Sequence, residues 1–496
     1  MPKLFGTDGV RGIANQDLTP ELALRVGRAG AHLLTLESAE SAAKPAGMAA
    51  GAAGGMGVAS GMGAASGMGV AGAMGTAGRP LLVLGRDSRL SADLLAAAVT
   101  AGACSVGVDV VDLGVIPTPG VAFLTRHLGA SGGVMISASH NPVDDNGIKF
   151  FDASGCKLSP EMEDMIEARV VAKQDRLPRP AGPGVGQATF SREHVRVYAD
   201  HLVSAVGGQS VLGEMSIVID AAHGATAGLA AAVFRRAGAR VVAMNDIPDG
   251  RLINVECGST HPESMARRVR EEGAGAGLAF DGDGDRVIAA DEKGRIVDGD
   301  QIMAILGLDL LARKALPRKT VVATVMSNLG LDLALREAGG KVIRTPVGDR
   351  NVLMEMRNTG AVLGGEQSGH VIMLRHATTG DGLVTGLSLL AVMVRYGQSM
   401  SELAGRIVKL PQVLVNVAVD KKDKLQTSEK VATAIERVRE QLGHTGSVLV
   451  RASGTEPLVR IMIEGRDERR IIDMAAGLAA VVAAELGGEI LQRRQQ

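Results

Sequence analysis

The stretch "AFDGDGDRVIAAD" (279–291) sets Asp281, Asp283 and Asp285 one glycine apart. Three carboxylates this close repel one another unless a cation sits between them. The glycine spacers let the backbone curl so that all three turn inward, and an all-oxygen ligand set suits a hard ion such as Mg²⁺. The flanks "GLAF" and "VIAA" read as buried strand, which holds the loop in place and argues against a solvated acidic turn.

Two other aspartate-rich loops are excluded by detail. An EF-hand needs glycine at its sixth position and a helix after the loop; here Arg286 fills the sixth position and a strand follows, although Glu292 falls at the twelfth. The haloacid-dehalogenase phosphatases need an aspartate nucleophile in an early strand-end D-x-D motif, which the sequence lacks.

A second loop, "GVMISASHNPVDDNGIKFF" (133–151), runs from a buried strand into Ser137, Ser139, His140, Asn141 and Pro142. Pro142 forces the residue before it out of helical geometry. The turn therefore presents hydroxyl, imidazole and amide groups at a strand's C-terminal end, where α/β proteins bind ligands. Lys149 follows in an apolar strand context and is a candidate for a shifted pKa. Nothing in these residue types separates Ser137 from Ser139 as a nucleophile. "RASGTEPLVR" (451–460) gathers Arg451, Ser453, Gly454, Thr455 and Arg460 around a turn, a set of guanidinium forks, hydroxyls and backbone N–H groups that suits phosphate. "GGEQSGH" (364–370) offers Glu366, Ser368 and His370 in a glycine-flexible loop, where carboxylate and hydroxyl suit sugar hydroxyls.

These loops need strands and helices to hold them. "LTPELALRVGRAGAHLLT" (18–35) predicts a helix capped by Thr19, with Pro20 at its first position and Leu22, Val26, Ala29 and Leu33 on one face. "PLLVLGRDSR" (80–89) predicts a strand ending in a polar turn, then a helix, then the strand "VDVVDLG". The alternation continues to about residue 400 and predicts α/β architecture with mixed, largely parallel sheets. The Pro/Gly-rich segment 174–191 reads as a connector, and two further strand–helix–strand units start at 215–244 and 319–348. From about 404 the order changes to strand, amphipathic helix, strand pair and a last helix from Asp467, a smaller α+β domain. The expected domains are 1–173, 174–296, 297–403 and 404–496.

Composition narrows the function class. The chain has 496 residues, 46% of them hydrophobic and only 2% aromatic, so its cores must be aliphatic. A formal net charge of −1 gives no global attraction to nucleic acid or an anionic membrane, so an anionic substrate must be held by local basic clusters. Three scattered cysteines, Cys104, Cys156 and Cys257, argue against a disulfide framework, and the start "MPKLFGTDGVRG" has no apolar secretory region; both point to the cytoplasm. Four tandem hexapeptides at 55–78, GMGVAS, GMGAAS, GMGVAG and AMGTAG, are too few and too poor in β-branched residues for a β-helix. They also lack the Leu, Ile and Phe of a membrane span, and read as a flexible insertion at about 45–78.

Taken together, "FGTDGVRG" (5–12), "GRDSR" (85–89), "ISASHNP", "FDGDGDR", "VGDR" (347–350), "GEQSGH" and "RASGTEPLVR" resemble the α-D-phosphohexomutase superfamily, in family order and over nearly the whole chain. The branch they resemble acts on glucosamine phosphates, a likeness to which Gln367 contributes. The resemblance implies three related α/β domains and a C-terminal domain like the TATA-binding protein, around a central cleft. It implies that Ser139 carries the phosphoryl group and, with Asp281, Asp283 and Asp285, holds one Mg²⁺ per active site. His140, Lys149 and Arg11 join Ser139 as catalytic candidates, with His370 the alternative to Lys149 as general acid/base. Glu366 and Ser368 would grip the sugar, while Arg451, Ser453, Gly454, Thr455 and Arg460 hold the phosphate that does not react. The implied reaction interconverts glucosamine 6-phosphate and glucosamine 1-phosphate through a bisphosphorylated sugar. A phosphomannomutase/phosphoglucomutase and a non-catalytic phosphosugar sensor are the competing readings. The expected partner is a phosphosugar, with no nucleic acid and no membrane; a homodimer is left open.

Overall fold

The computed structural model describes residues 3–6, 8–43, 79–453 and 457–495. The hexapeptide insertion, Gly454 and Thr455 lie outside the described residues. The chain divides into two compact units, Met1–Val297 with Ser368–Met400, and Asp298–Gln367 with Ser401–Gln496.

The first unit holds two mixed sheets. In the seven-stranded sheet the order is Phe5–Gly6, Gly9–Ile13, Asp145–Asp152, Gly132–Ile136, Leu81–Arg86, Asp109–Val115, Ala188–Phe190. Strands from Gly132–Ile136 onward in that order run parallel, and those before it pair antiparallel. The parallel side follows from strand–helix alternation, since parallel neighbours need a crossover. Helix Pro20–Ala43 starts where Thr19 accepts a hydrogen bond from Leu22 N–H at 3.3 Å, and runs beyond the stretch expected from periodicity. It packs against helix Ala92–Cys104 at glycines: a Cβ on Gly102 would lie 2.3 Å from the Leu24 carbonyl oxygen. The aliphatic core beneath includes Val26, Leu33, Leu82, Leu84, Leu95, Val99 and Ile148, all buried. Each such side chain contributes about 1.5–3 kcal/mol on burial.

The segment read as a connector, 174–191, adds the strand Ala188–Phe190 to the sheet edge, parallel to Asp109–Val115. Its three residues are exposed, so no buried pattern marked it in the sequence.

The second sheet has the order Ile296–Val297, Val287–Asp291, Ala276–Phe280, Ser216–Asp220, Arg240–Met244. Its central hairpin, Ala276–Phe280 antiparallel to Val287–Asp291, carries the three-aspartate loop at its tip.

In the second unit, strands Lys341–Thr345, Thr320–Thr324 and Leu363–Gly365 run parallel. A four-stranded antiparallel sheet follows, in the order Gly446–Ala452, Leu458–Gly465, Gln412–Val419, Gly488–Gln495. It is covered by helices Glu429–Leu442 and Glu468–Leu486, capped by Ser428 and Asp467. The last strand was not expected from the sequence; it pairs with Gln412–Val419, which leaves that strand central. Among the described residues no helix is long and apolar enough to cross a membrane.

Candidate active site

The hairpin tip places ligand oxygens of Asp281, Asp283 and Asp285 within 4.8 Å of one another, on three buried residues. Gly284 takes a φ of 70°, a conformation that a side chain would strain, and this lets the loop curl. Asp281 Oδ1 accepts from Arg286 N–H at 3.2 Å. Asp283 Oδ1 and Asp285 Oδ1 are buried with no hydrogen-bond partner among the described residues. Buried anionic oxygens left this way are costly, and a hard divalent cation is the species that would satisfy them. Burial first, then repulsion from Asp285 and Asp283, pushes the Asp281 carboxyl well above the usual carboxylate range. Burial also works on Asp285, but His370, Lys149 and Arg286 outweigh it and hold this carboxyl below that range. The residues therefore fit a bound Mg²⁺.

Ser139 stands over this loop. Its Oγ donates to Asp281 Oδ2 at 2.5 Å and lies 3.3 Å from His140 Nδ1. Ser139 is buried and has a φ of 53°, a left-handed conformation uncommon outside glycine. Its carbonyl is gripped by Asn254 Nδ2 at 2.9 Å and by the Arg89 guanidinium at 3.1 Å. The same guanidinium donates to the carbonyls of Asn141 at 2.8 Å, Asp145 at 2.8 Å and Pro142. Such a held, strained position is typical of functional loops. Ser137, in contrast, turns away: its Oγ donates to Asp87 Oδ2 at 2.6 Å and accepts the Ser139 N–H at 2.8 Å. The geometry thus separates the two serines, with Ser139 facing the aspartates and Ser137 supporting it from behind.

Burial first, then the nearby Arg286 and Arg11 guanidinium groups, pulls His140 down to about 4, so its imidazole is neutral near pH 7. Lys149 is shifted in the other direction. Burial would lower it, but Asp283 and Asp8 lie 2.8 and 3.1 Å from its Nζ and hold its pKa above the ordinary value. Its resting form is the ammonium, a charge stabiliser and proton donor. Asp8 is itself held well below the usual range: burial opposes this, but Lys149, Lys157 and Arg11 prevail. Arg11 bonds Asp8 and reaches Asn141 Oδ1 at 3.2 Å, tying the first hairpin to the serine loop.

His370 is also in this group, with Nδ1 3.5 Å from Asp285 Oδ2. Its Nε2 accepts the Gly380 N–H at 3.1 Å. Both ring nitrogens are engaged within the protein, as is the Lys149 ammonium. Ser368 is exposed.

In the second unit, Glu366 Oε1 accepts the Gly348 N–H at 3.0 Å, so "VGDR" and "GEQSGH" meet. At one end of the antiparallel sheet Arg451 lies directly opposite Arg460. Buried Ser453 follows, with Lys422 Nζ donating to its carbonyl at 3.0 Å. Burial, then Arg460, lowers the pKa of Arg451. Two guanidinium groups side by side with a lysine nearby have the charge and donors that suit a polyanion.

Several residues around these groups were not singled out in the sequence. Asp87 and Arg89 stand in "GRDSR" and Asp8 in "FGTDGVRG", so the quoted motifs contained them without a role. Lys157, Lys422 and Asn254 carried no local signal, because distant chain segments bring them in.

Comparison with known proteins places the chain in a family. The chain matches the phosphoglucomutase/phosphomannomutase families for alpha/beta/alpha domain I over residues 59–176, domain II over 196–294, domain III over 298–410 and the C-terminal domain over 414–481. A phosphoglucosamine mutase of Moorella thermoacetica is 50% identical over 483 residues, 97% of this chain and 100% of its own. One from Symbiobacterium thermophilum is 50% identical over 98% of this chain and 100% of its own. A crystal structure of a phosphoglucomutase/phosphomannomutase family protein from Burkholderia thailandensis shares the fold, with a TM-score of 0.79 and 24% identity over 98% of this chain and 99% of its own. The N-acetylphosphoglucosamine mutase of Aspergillus fumigatus, solved with GlcNAc-6P and magnesium, has a TM-score of 0.57 and 19% identity over 74% of this chain and 92% of its own. The chain belongs to the phosphoglucomutase/phosphomannomutase family and, within it, to the phosphoglucosamine mutases.

Proposed function

We propose that this enzyme interconverts glucosamine 6-phosphate and glucosamine 1-phosphate through a phosphorylated Ser139. The observation that carries the reading is the Ser139 hydroxyl bonded at 2.5 Å to Asp281 within the buried aspartate triad. Asp281, Asp283 and Asp285, with an oxygen of the phosphorylated Ser139, would hold one Mg²⁺, which when bound neutralises charge on the transferring phosphoryl group.

In the first half-reaction a sugar hydroxyl oxygen bonds to phosphorus as the Ser139 Oγ–P bond breaks. The hydroxyl gives up its proton and the Ser139 oxygen gains one, so the step is balanced. Lys149, held as ammonium by Asp283 and Asp8, stabilises charge on the phosphoryl oxygens and gives a proton to the departing Ser139 oxygen, the sugar hydroxyl's proton replacing it on the amine, with Arg11 beside it. Neutral His140, 3.3 Å from Ser139 Oγ, lines the hydroxyl left behind. Glu366 and Ser368 bind sugar hydroxyls, and Arg451, Ser453, Gly454, Thr455 and Arg460 bind the phosphate that does not react. The bisphosphorylated sugar then returns its other phosphate to Ser139. This reaction supplies precursors for cell-wall amino sugars, and it belongs in the cytoplasm because phosphorylated sugars do not cross membranes unaided.

Purified protein given Mg²⁺, a sugar bisphosphate primer and glucosamine 6-phosphate should form glucosamine 1-phosphate. Its kcat/KM should exceed those for glucose 6-phosphate and mannose 6-phosphate, both turned over weakly. Equal or better use of the mannose substrate would move the enzyme to the phosphomannomutase reading, and no turnover of any of the three would sink the catalytic reading.

A further inference from the structure

We propose that Thr118 is a positioning residue for the cation site, its hydroxyl turning the Asp283 carboxylate so that Oδ1 faces the cation. The inference rests on reading the aspartate triad as that site. Thr118 lies in "VIPTPG" (115–120), a stretch with no chemistry evident from its composition, and opens the helix Thr118–His127 after Pro117. It is fully buried. Its backbone N–H, one of those that a helix start leaves without an intrahelical partner, donates to the Asp283 carbonyl at 2.9 Å. Its Oγ1 donates to Asp283 Oδ2 at 2.7 Å.

Lys149 Nζ reaches the same Oδ2 at 2.8 Å. Two donors therefore converge on one oxygen of Asp283, while Oδ1 stays buried without a hydrogen-bond partner among the described residues. The asymmetry is that of a ligand oriented by its outer neighbours: one oxygen held by protein, the other available to metal. Lys149 alone fixes this less well. Its ammonium is also shared with Asp8 at 3.1 Å, and a flexible four-carbon stem follows a carboxylate that turns about its Cβ–Cγ bond. The threonine hydroxyl sits on a short, β-branched side chain at a helix start. Its seat is tight, since a Cβ on neighbouring Gly284 would meet Pro117 at 3.1 Å and Thr226 at 2.6 Å.

The test is cation affinity, measured apart from turnover. Full-length dephosphorylated protein is titrated with Mn²⁺, free ion being counted by electron paramagnetic resonance, and with Mg²⁺ by calorimetry. Thr118→Val keeps the volume and loses the hydroxyl, Thr118→Ala loses both, and Thr118→Ser keeps the hydroxyl. Val and Ala variants should bind roughly 10–100-fold more weakly, and Ser should stay within about threefold of wild type. Melting curves show whether each variant is folded; if Thr118→Val does not fold, the Ala and Ser pair carries the comparison. Wild-type affinity in folded Thr118→Val would overturn the inference, as would an affinity that follows side-chain volume and not the hydroxyl. Asp281→Ala separates this from failure of the underlying reading. Mn²⁺ binding in the wild type that survives Asp281→Ala places the cation elsewhere and removes both.

Discussion

Ser137 Oγ accepts a hydrogen bond from the backbone N–H of Ser139 at 2.8 Å and donates one to Asp87 Oδ2 at 2.6 Å. Two serines two positions apart are thus held differently: one is fixed, and the other is offered to the aspartates. Ser139→Ala should abolish phosphorylation seen by peptide mass spectrometry and cut kcat by roughly three orders of magnitude or more. Ser137→Ala should still be phosphorylated at Ser139. It leaves a buried N–H and a buried carboxylate short of a partner, about 1–3 kcal/mol, so its rate should fall about tenfold or more. Phosphate mapped to Ser137 in the wild type would reverse the assignment.

Arg451 and Arg460 face each other across adjacent antiparallel strands, where like charges repel. Burial has lowered the pKa of Arg451, so the pair is kept at a cost to stability. Arg451→Met should therefore leave the melting temperature unchanged or raised. It should raise KM for the phosphosugar roughly 10–100-fold, the loss of one charge-assisted contact of about 1.5–3 kcal/mol. An unchanged KM would remove this sheet end from the substrate site.

A cation that binds the folded triad and not the unfolded chain stabilises by mass action. At a concentration about a hundredfold above its Kd, Mg²⁺ should add about 2.7 kcal/mol to unfolding free energy. Asp283→Ala should abolish this gain. Calorimetric melting with Mg²⁺ and with chelator tests it, and an equal gain in the variant would show that the ion binds elsewhere.

How far the sequence revealed this arrangement depends on how locally each part is specified. The three aspartates were legible because single glycines put them together without help from the rest of the chain. The helix cap at Thr19 was similarly local. Ser139 and Ser137 were not separable, because what distinguishes them is Asp87 on one side and Asp281 on the other, about fifty and 140 residues away in sequence. The direction of the Lys149 shift depended likewise on Asp8 and Asp283, which no window around Lys149 contains. Strand Ala188–Phe190 was hidden in a Pro/Gly-rich segment because an exposed edge strand needs no apolar alternation.

Asp300 offers a test of the second unit by pH. It is buried, and its Oδ2 accepts the Asn328 N–H at 2.7 Å while Oδ1 has no hydrogen-bond partner among the described residues. Burial, then repulsion from Asp298, raises its pKa to about 7. An unfolded aspartate titrates near 4. Between these values the folded protein holds a proton that the unfolded chain has released, so stability falls as pH rises from about 4 to about 7 and stays reduced above that. Asp300→Asn keeps an oxygen for the Asn328 N–H and carries no charge at any pH. The variant should match wild type near pH 4 and become more stable by a few kcal/mol by pH 8, the gap opening across that window. Urea unfolding at several pH values measures it. A constant gap would mean that Asp300 keeps its charge in the folded protein, satisfied by groups that surround it.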